Sequence, residues 1–177
     1  MRLFIAINFE RELKDKLSEI INNFKNQTVR GNFTKHENLH LTLVFVGETD
    51  KIEEIKKAMD NLEWRKFNLA FTKPGRFKRS GGDIYWLGIQ DDDMLSSVNA
   101  QLTKSLSEAG FKIESREFKP HLTLGREVVL SDNFNIDEFS RSIPNLKADI
   151  DRISLMRSQH MGGKLVYTEI YSVSAEN

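Results

Sequence analysis

Cysteine is absent from the chain. Disulfides, thiol nucleophiles and cysteine-based zinc sites are therefore excluded, and a reducing compartment is permitted. Proline is scarce at 3 residues, glycine amounts to 10, and no low-complexity stretch interrupts the 177 residues. Nothing reads as a tether between independently moving domains. Net charge is missing too, since 26 Lys and Arg balance 26 Asp and Glu. Bulk electrostatics then does not hold this chain to nucleic acid, and a polyanionic partner has to be met by a local basic patch. No apolar run approaches the roughly 20 residues a membrane span requires. The opening MRLFIAINFE is too short in apolar length for a signal peptide and meets a charge at Glu10. These features predict a soluble, cytoplasmic protein with no membrane partner.

What is present is apolar residue in periodic order. At 39% hydrophobic with 12 Phe, the chain can bury a real core, and residues 1–177 are expected to form one domain. Arg2 to Asn8 suits a strand, with Asn8 placed to cap the helix after it. Leu13, Leu17, Ile20, Ile21 and Phe24 lie on one helical face and predict a helix over 9–26. Residues 27–38 read as polar and irregular, and Leu39 to Gly47 as a strand. Thr49 or Asp50 caps a second helix with Ile52, Ile55, Met59 and Leu62 on its stripe. Phe67 to Phe71 and Tyr85 to Ile89 alternate as strands, joined by the connector Pro74 to Asp83. Asp91 to Asp93 opens a third helix, whose stripe is Leu95, Val98, Leu102, Leu106 and Ala109 and whose end is Gly110. Strands follow at 121–125, 150–156 and 165–173, with a short helix near 136–142. The pattern predicts an α+β fold of mostly antiparallel sheet, with helices covering the sheet faces.

One tetrapeptide occurs twice: His40-Leu41-Thr42-Leu43 and His121-Leu122-Thr123-Leu124. Side chains alternate along a strand, so His40 and Thr42 share one face while the leucines share the other. The same holds for His121 and Thr123. If an approximate twofold relates the two halves, both pairs face one cleft. Two imidazoles and two hydroxyls then converge on one small group, which suits phosphoester chemistry. One neutral histidine takes a proton from the attacking hydroxyl while the other, protonated, gives one to the leaving oxygen. Each threonine can donate to a non-bridging oxygen. The scheme requires no metal. Arg126, next after HLTLG, is the first candidate for a phosphate contact. Arg76, Lys78, Arg79, Arg116 and Lys119 are secondary candidates.

These residues resemble the two signature motifs of the 2H phosphoesterase superfamily, named for paired motifs of the form His-x-Thr/Ser-x. Within it the chain is similar to the RNA 2′,3′-cyclic phosphodiesterase family, also called 2′-5′ RNA ligases. RLFIAIN resembles that family's first strand, ENLHLTLVFVGE its first motif, and FKPHLTLGR its second, including Pro120 and Arg126. SLMRSQHMGGKLVYTEIYS is similar to its closing strand pair, in which a serine precedes a loop and a tyrosine-bearing strand. The resemblance implies two pseudo-symmetric lobes with helices on their outer faces, around a central cleft that holds both histidines. The implied activity is hydrolysis of a terminal 2′,3′-cyclic phosphate, on an RNA 3′ end or a nucleotide, to a 2′-phosphate. Reversible 2′-5′ joining of RNA ends without a nucleotide cofactor goes with it. Carried over, His40 and His121 are the acid–base pair, Thr42 and Thr123 hold the phosphate, and Arg126 matches a residue that often follows the second motif. No cofactor, metal or obligate protein partner is implied, and a monomer is expected. The residues do not assign base and acid to particular histidines.

Plainer readings stand beside these. A binding module that keeps the cleft without useful catalysis, or a related 2H enzyme acting on another cyclic phosphate or RNA 3′ end, would carry the same motifs. His36 and His160 sit in no matching motif and read as solvated loop residues. A metal site at His36 and His40 would need a helix where the sequence reads as strand. Gly81-Gly82 and Gly162-Gly163 read as turns rather than phosphate loops. Trp64, Trp86, Phe45 and Phe118 are candidates for stacking a base, with core packing the alternative for each.

Overall fold

The computed structural model describes residues 1–90, 92–114 and 117–175. Asp91, expected to open the third helix, and Arg116, a secondary phosphate candidate, lie outside the described residues. The elements in chain order are β1 (Arg2–Asn8), α1 (Arg11–Lys25), β2 (Thr28–Phe33), a 3-10 turn (His36–Asn38), β3 (His40–Glu48), α2 (Ile52–Asp60), β4 (Phe67–Phe77), β5 (Asp83–Ile89), α3 (Asp93–Glu108), β6 (His121–Leu130), α4 (Ile136–Ser142), β7 (Lys147–Ile150), β8 (Arg152–Met161) and β9 (Lys164–Ser174). They form two sheets, a four-stranded one in the order β3-β1-β8-β9 and a five-stranded one in the order β2-β6-β5-β4-β7. Every pairing is antiparallel. The expected α+β class is what the chain forms, and the two copies of HLTL open β3 and β6, one in each sheet.

One cluster of buried side chains runs through both sheets and all four helices. Leu3, Ile5 and Ile7 of β1 belong to it, whereas Phe4 and Ala6 form a smaller cluster with Met156 on the opposite strand face, with Tyr167 packed against them. A strand buried on both faces needs an unbroken apolar run, which LFIAI supplies. The apolar stripe of α1 buries Leu17, Ile20, Ile21 and Phe24. Phe24 meets Phe33 of β2 and Tyr85 of β5, together with Phe134 and Phe139, at centroid distances of 5.1–6.0 Å. Thus α1 follows a strand of the four-stranded sheet but covers the five-stranded one. The converse holds for α3, which packs on α2 and β3, where Asn99 Nδ2 donates to the Leu43 carbonyl at 2.8 Å.

Helix ends follow the expected chemistry in part. Asp92 caps α3, accepting from the amides of Met94 (2.9 Å) and Leu95 (3.2 Å). Gly110, at φ +87°, lets the chain leave α3, and the Phe111 amide returns to the Leu106 carbonyl at 3.0 Å. Neither Thr49 nor Asp50 caps α2: Lys51 takes the N-cap position with no side-chain cap, and Thr49 Oγ1 accepts from the Lys51 amide, at 3.1 Å. Asn8 does not cap α1. It ends β1 opposite His40, and its Nδ2 lies 3.3 Å from the Met156 sulfur. Ala109, expected on the buried stripe, is exposed just beyond the end of α3.

Three stretches differ from the sequence-based expectation. Within 27–38, residues 28–33 are β2, an edge strand held to β6 by main-chain pairing while most of its side chains reach solvent. Edge pairing leaves no apolar alternation to read. β4 continues through Pro74 to Phe77, so the connector to β5 shrinks to residues 78–82. Proline is tolerated because β7 pairs only with Phe67–Ala70, which leaves Pro74 a free edge. The 150–156 stretch divides between β7 and β8, and β8 runs on to Met161. At the β8–β9 hairpin, Gly162 and Gly163 both have positive φ (57° and 75°), the geometry a two-residue primed turn demands. Among the described residues no helix is long and apolar enough to cross a membrane.

Truncating Phe24 empties a site walled by four other rings. Phe24→Ala is expected to cost about 3–5 kcal/mol of stability, measured as a lower midpoint in urea unfolding.

Candidate active site

His40 and His121 are each the first residue of their strand. Alternation does what the sequence requires of it. Leu41, Leu43, Leu122 and Leu124 are buried in the common core, while Thr42 is exposed and Thr123 half-buried on the histidine faces. β3 and β6 approach each other across the seam between the sheets.

The two imidazoles are held alike. His40 Nδ1 lies 2.7 Å from the carbonyl oxygen of Asn38, and His121 Nδ1 lies 2.6 Å from that of Lys119. A carbonyl only accepts, so each Nδ1 carries the proton and donates it, and Nε2 is the nitrogen left to exchange. At His40, Nε2 lies 3.0 Å from Thr42 Oγ1, which donates to it in the neutral form. Asn38 is itself fixed: it is buried, and its Nδ2 donates to the Leu165 carbonyl on β9 at 3.0 Å.

Aromatic rings bracket both histidines. His40 has Phe4 at 5.0 Å and Tyr167 edge-on at 5.1 Å. His121 has Phe77 edge-on at 5.3 Å and Trp86 at 5.9 Å. Of these four rings only Trp86 stood among the sequence candidates. Tyr167 is far from His40 in sequence, and only the curl that brings β9 back to the 3-10 turn makes them neighbours. Its sole signal was the resemblance to a tyrosine-bearing closing strand.

Burial pushes the His40 imidazole below the ordinary histidine value; the Asn38 carbonyl opposes this, and the positive charges of Lys14, Arg126 and His121 add to it. Arg126 also acts on Tyr167, whose phenol burial pushes up while Arg126 and Arg2 pull it down. Arg126, exposed on β6, therefore lies within electrostatic reach of His40 and Tyr167 together. The secondary cations are placed differently. Arg76 pairs with Asp83 at 2.9 Å, and the same carboxylate accepts from the Arg79 amide at 3.0 Å. Lys119 faces Glu117 at 3.3 Å, and Lys78 is exposed at the hairpin tip.

The remaining candidates separate by burial. His36 pairs with Asp15 through Nε2 at 2.8 Å, and His160 is exposed near the end of β8. Trp64 is buried in the core, and Phe118 packs against it. Phe45 is 46% exposed under the Arg2 guanidinium, 5.1 Å from the ring centroid, so the core alternative does not hold for it. Position along β3 explains this, since Phe45 falls on the outward side of the strand between buried Val44 and Val46.

Because burial lowers the folded-state pKa of His40, the unfolded chain binds more protons as pH falls through about 6.5, and stability is lost on that side. The His40 ring proton signals are expected to titrate below that value in NMR. His40→Gln should lose less stability than the wild type between about pH 7.5 and about pH 5.5.

The sequence pattern of the 2′-5′ RNA ligase superfamily matches residues 13–161. A Thermotoga maritima protein named RNA 2′,3′-cyclic phosphodiesterase is 32% identical, over 99% of this chain and 96% of its own length. A protein of the same name from Methanothermobacter thermautotrophicus is 26% identical over 96% of both chains. Among solved structures, E. coli LigT complexed with 3′-AMP aligns with a TM-score of 0.82 over 99% of this chain and 98% of its own, at 24% identity. TT0787 of Thermus thermophilus aligns with a TM-score of 0.78 over 99% and 98%, at 21% identity. At these identities the structural likeness is one of fold.

Proposed function

Because the chain belongs to the 2′-5′ RNA ligase superfamily, we propose that it is an RNA 2′,3′-cyclic phosphodiesterase acting on RNA 3′ ends or nucleotides, with His40 and His121 as its catalytic pair. The observation that carries this reading is the shared tether of the two imidazoles. Each donates Nδ1–H to the main-chain carbonyl two residues upstream, which dedicates Nε2 to proton exchange.

The division of labour follows from electrostatics. His40, which burial keeps neutral, accepts the proton of the attacking water as its oxygen bonds to phosphorus. The P–O3′ bond breaks, and His121 in its protonated form delivers a proton to O3′, leaving a 2′-phosphate. Thr42 and Thr123 donate to the non-bridging oxygens, and Arg126 offsets the charge that builds on them. A 5′-hydroxyl in place of water gives a 2′-5′ linkage by the same proton transfers. Nothing in this sequence of steps calls on a metal or a cofactor, and one chain carries every group it uses.

His40→Ala and His121→Ala are each expected to lose about 10²- to 10⁴-fold in kcat on a 2′,3′-cyclic nucleotide in EDTA, while the fold is retained. Phosphorus NMR follows ring opening and identifies the 2′-phosphate. Wild-type activity should be bell-shaped in pH, with the acid limb below the ordinary histidine value. Tight nucleotide binding without product, or full activity in either mutant, would overturn the proposal.

A further inference from the structure

Trp86 lies opposite Thr123 of β6 and Gly75 of β4, and His121 lies opposite Gly88, two residues further along β5. Trp86, Thr123, His121, Gly75 and Gly88 therefore share one face of the five-stranded sheet. A Cβ added at Gly75 would come within 2.2–2.7 Å of Cη2, Cζ2 and Cζ3 of the indole, whereas one at Gly88 would first meet Thr72 Oγ1 at 2.4 Å. The ring is thus laid down on Gly75 instead of standing off the sheet. Glycine within a strand weakens it, and its use marks a close approach. Here the approaching group is the indole. Phe77 borders the ring at 5.4 Å and 41°, and His121 at 5.9 Å and 53°, so neither lies parallel upon it.

The bracket around His40 is built otherwise. Phe4 is buried, and Tyr167 closes over it edge-on at 5.0 Å. Half-buried Tyr167 stands edge-on to both Phe4 and His40, whereas half-buried Trp86 lies flat on Gly75 beside the second motif.

From this geometry we infer that Trp86, seated on Gly75, is the platform on which the base of the cyclic-phosphate-bearing nucleotide stacks, and that it makes the enzyme prefer nucleoside cyclic phosphates to base-free ones. Stacking on an aromatic ring tolerates every base, because every base has a π-face. The platform therefore selects for a nucleobase without selecting its identity. A phosphate held by His121 and Thr123 puts the attached ribose beside the indole and the base over it. The inference rests on the cyclic phosphodiesterase reading for its kinetic arm alone.

The test compares cytidine 2′,3′-cyclic phosphate with glycerol 1,2-cyclic phosphate. Trp86→Leu should raise KM for the nucleotide about tenfold or more and lower kcat/KM for the nucleotide about tenfold further than for the glycerol compound, beyond whatever the loss of a ring beside His121 costs both. Trp86→Phe should restore most of the loss, and Gly75→Ala should reproduce it by lifting the ring. Equal losses on both substrates would mark a merely structural role and overturn the inference, as would an unchanged KM in Trp86→Leu. The chain has only 2 tryptophans, and Trp64 is buried in the core. Cytidine 2′-phosphate should therefore quench the fluorescence of the wild type, ribose 5-phosphate should not, and Trp86→Phe should abolish the effect. If the wild type opens neither cyclic phosphate, the proposed reaction fails, and the quenching alone decides the platform: its absence overturns it.

Discussion

An imidazole exchanges protons through one defined nitrogen when the other is committed to an acceptor. In both copies of the motif that commitment is to a main-chain carbonyl two residues upstream, at 2.7 Å for His40 and 2.6 Å for His121. The acceptor is backbone, so it comes from the entry of the chain into the strand and not from a replaceable side chain. Around His40 the arrangement goes one layer deeper. Asn38 supplies the carbonyl and fastens its own side chain to β9, which ties the ring to the far edge of the sheet. This places β9, and with it Tyr167, against a histidine that opens β3.

The two sheets bring these two strand starts toward one another. Each motif puts its leucines into the common core and its histidine and threonine on the opposite face. A slip of one residue in either strand would send an imidazole into the core, at the cost of burying a polar ring and exposing two leucines. Register is defended by apolar burial on one side and by close approach on the other. Gly82, at φ +123°, brings the start of β5 so near β6 that a Cβ there would sit 2.6 Å from the Glu127 carbonyl carbon.

Much of this is legible in the sequence alone. The helical stripes, the α+β class and the two histidine–threonine faces follow from periodicities that one stretch of chain carries by itself. What escaped notice depends on partners distant in sequence. β2 is a strand only because β6 offers it an edge, and its own side chains carry no alternation. Pro74 read as the end of a strand, yet the fold leaves it an unpaired flank. Asn8 had the composition of a cap, but the pairing of β1 with β3 kept it in the strand. The rings beside His40 and His121 come from four different strands, and no local pattern announces that they will meet. Phe45 shows the opposite failure: a general preference for burial was set aside by its position on the outward side of β3.

The exchange of helices between the sheets bears on how the chain can be divided. Although the motif occurs twice, α1 leaves β1 of the four-stranded sheet to seal the five-stranded one, and α3 leaves β5 of the five-stranded sheet to brace β3 of the other. Both sheets also draw strands from both halves, so a cut between β5 and α3 would part β1 from β8 and β5 from β6, baring unpaired main-chain edges together with apolar faces.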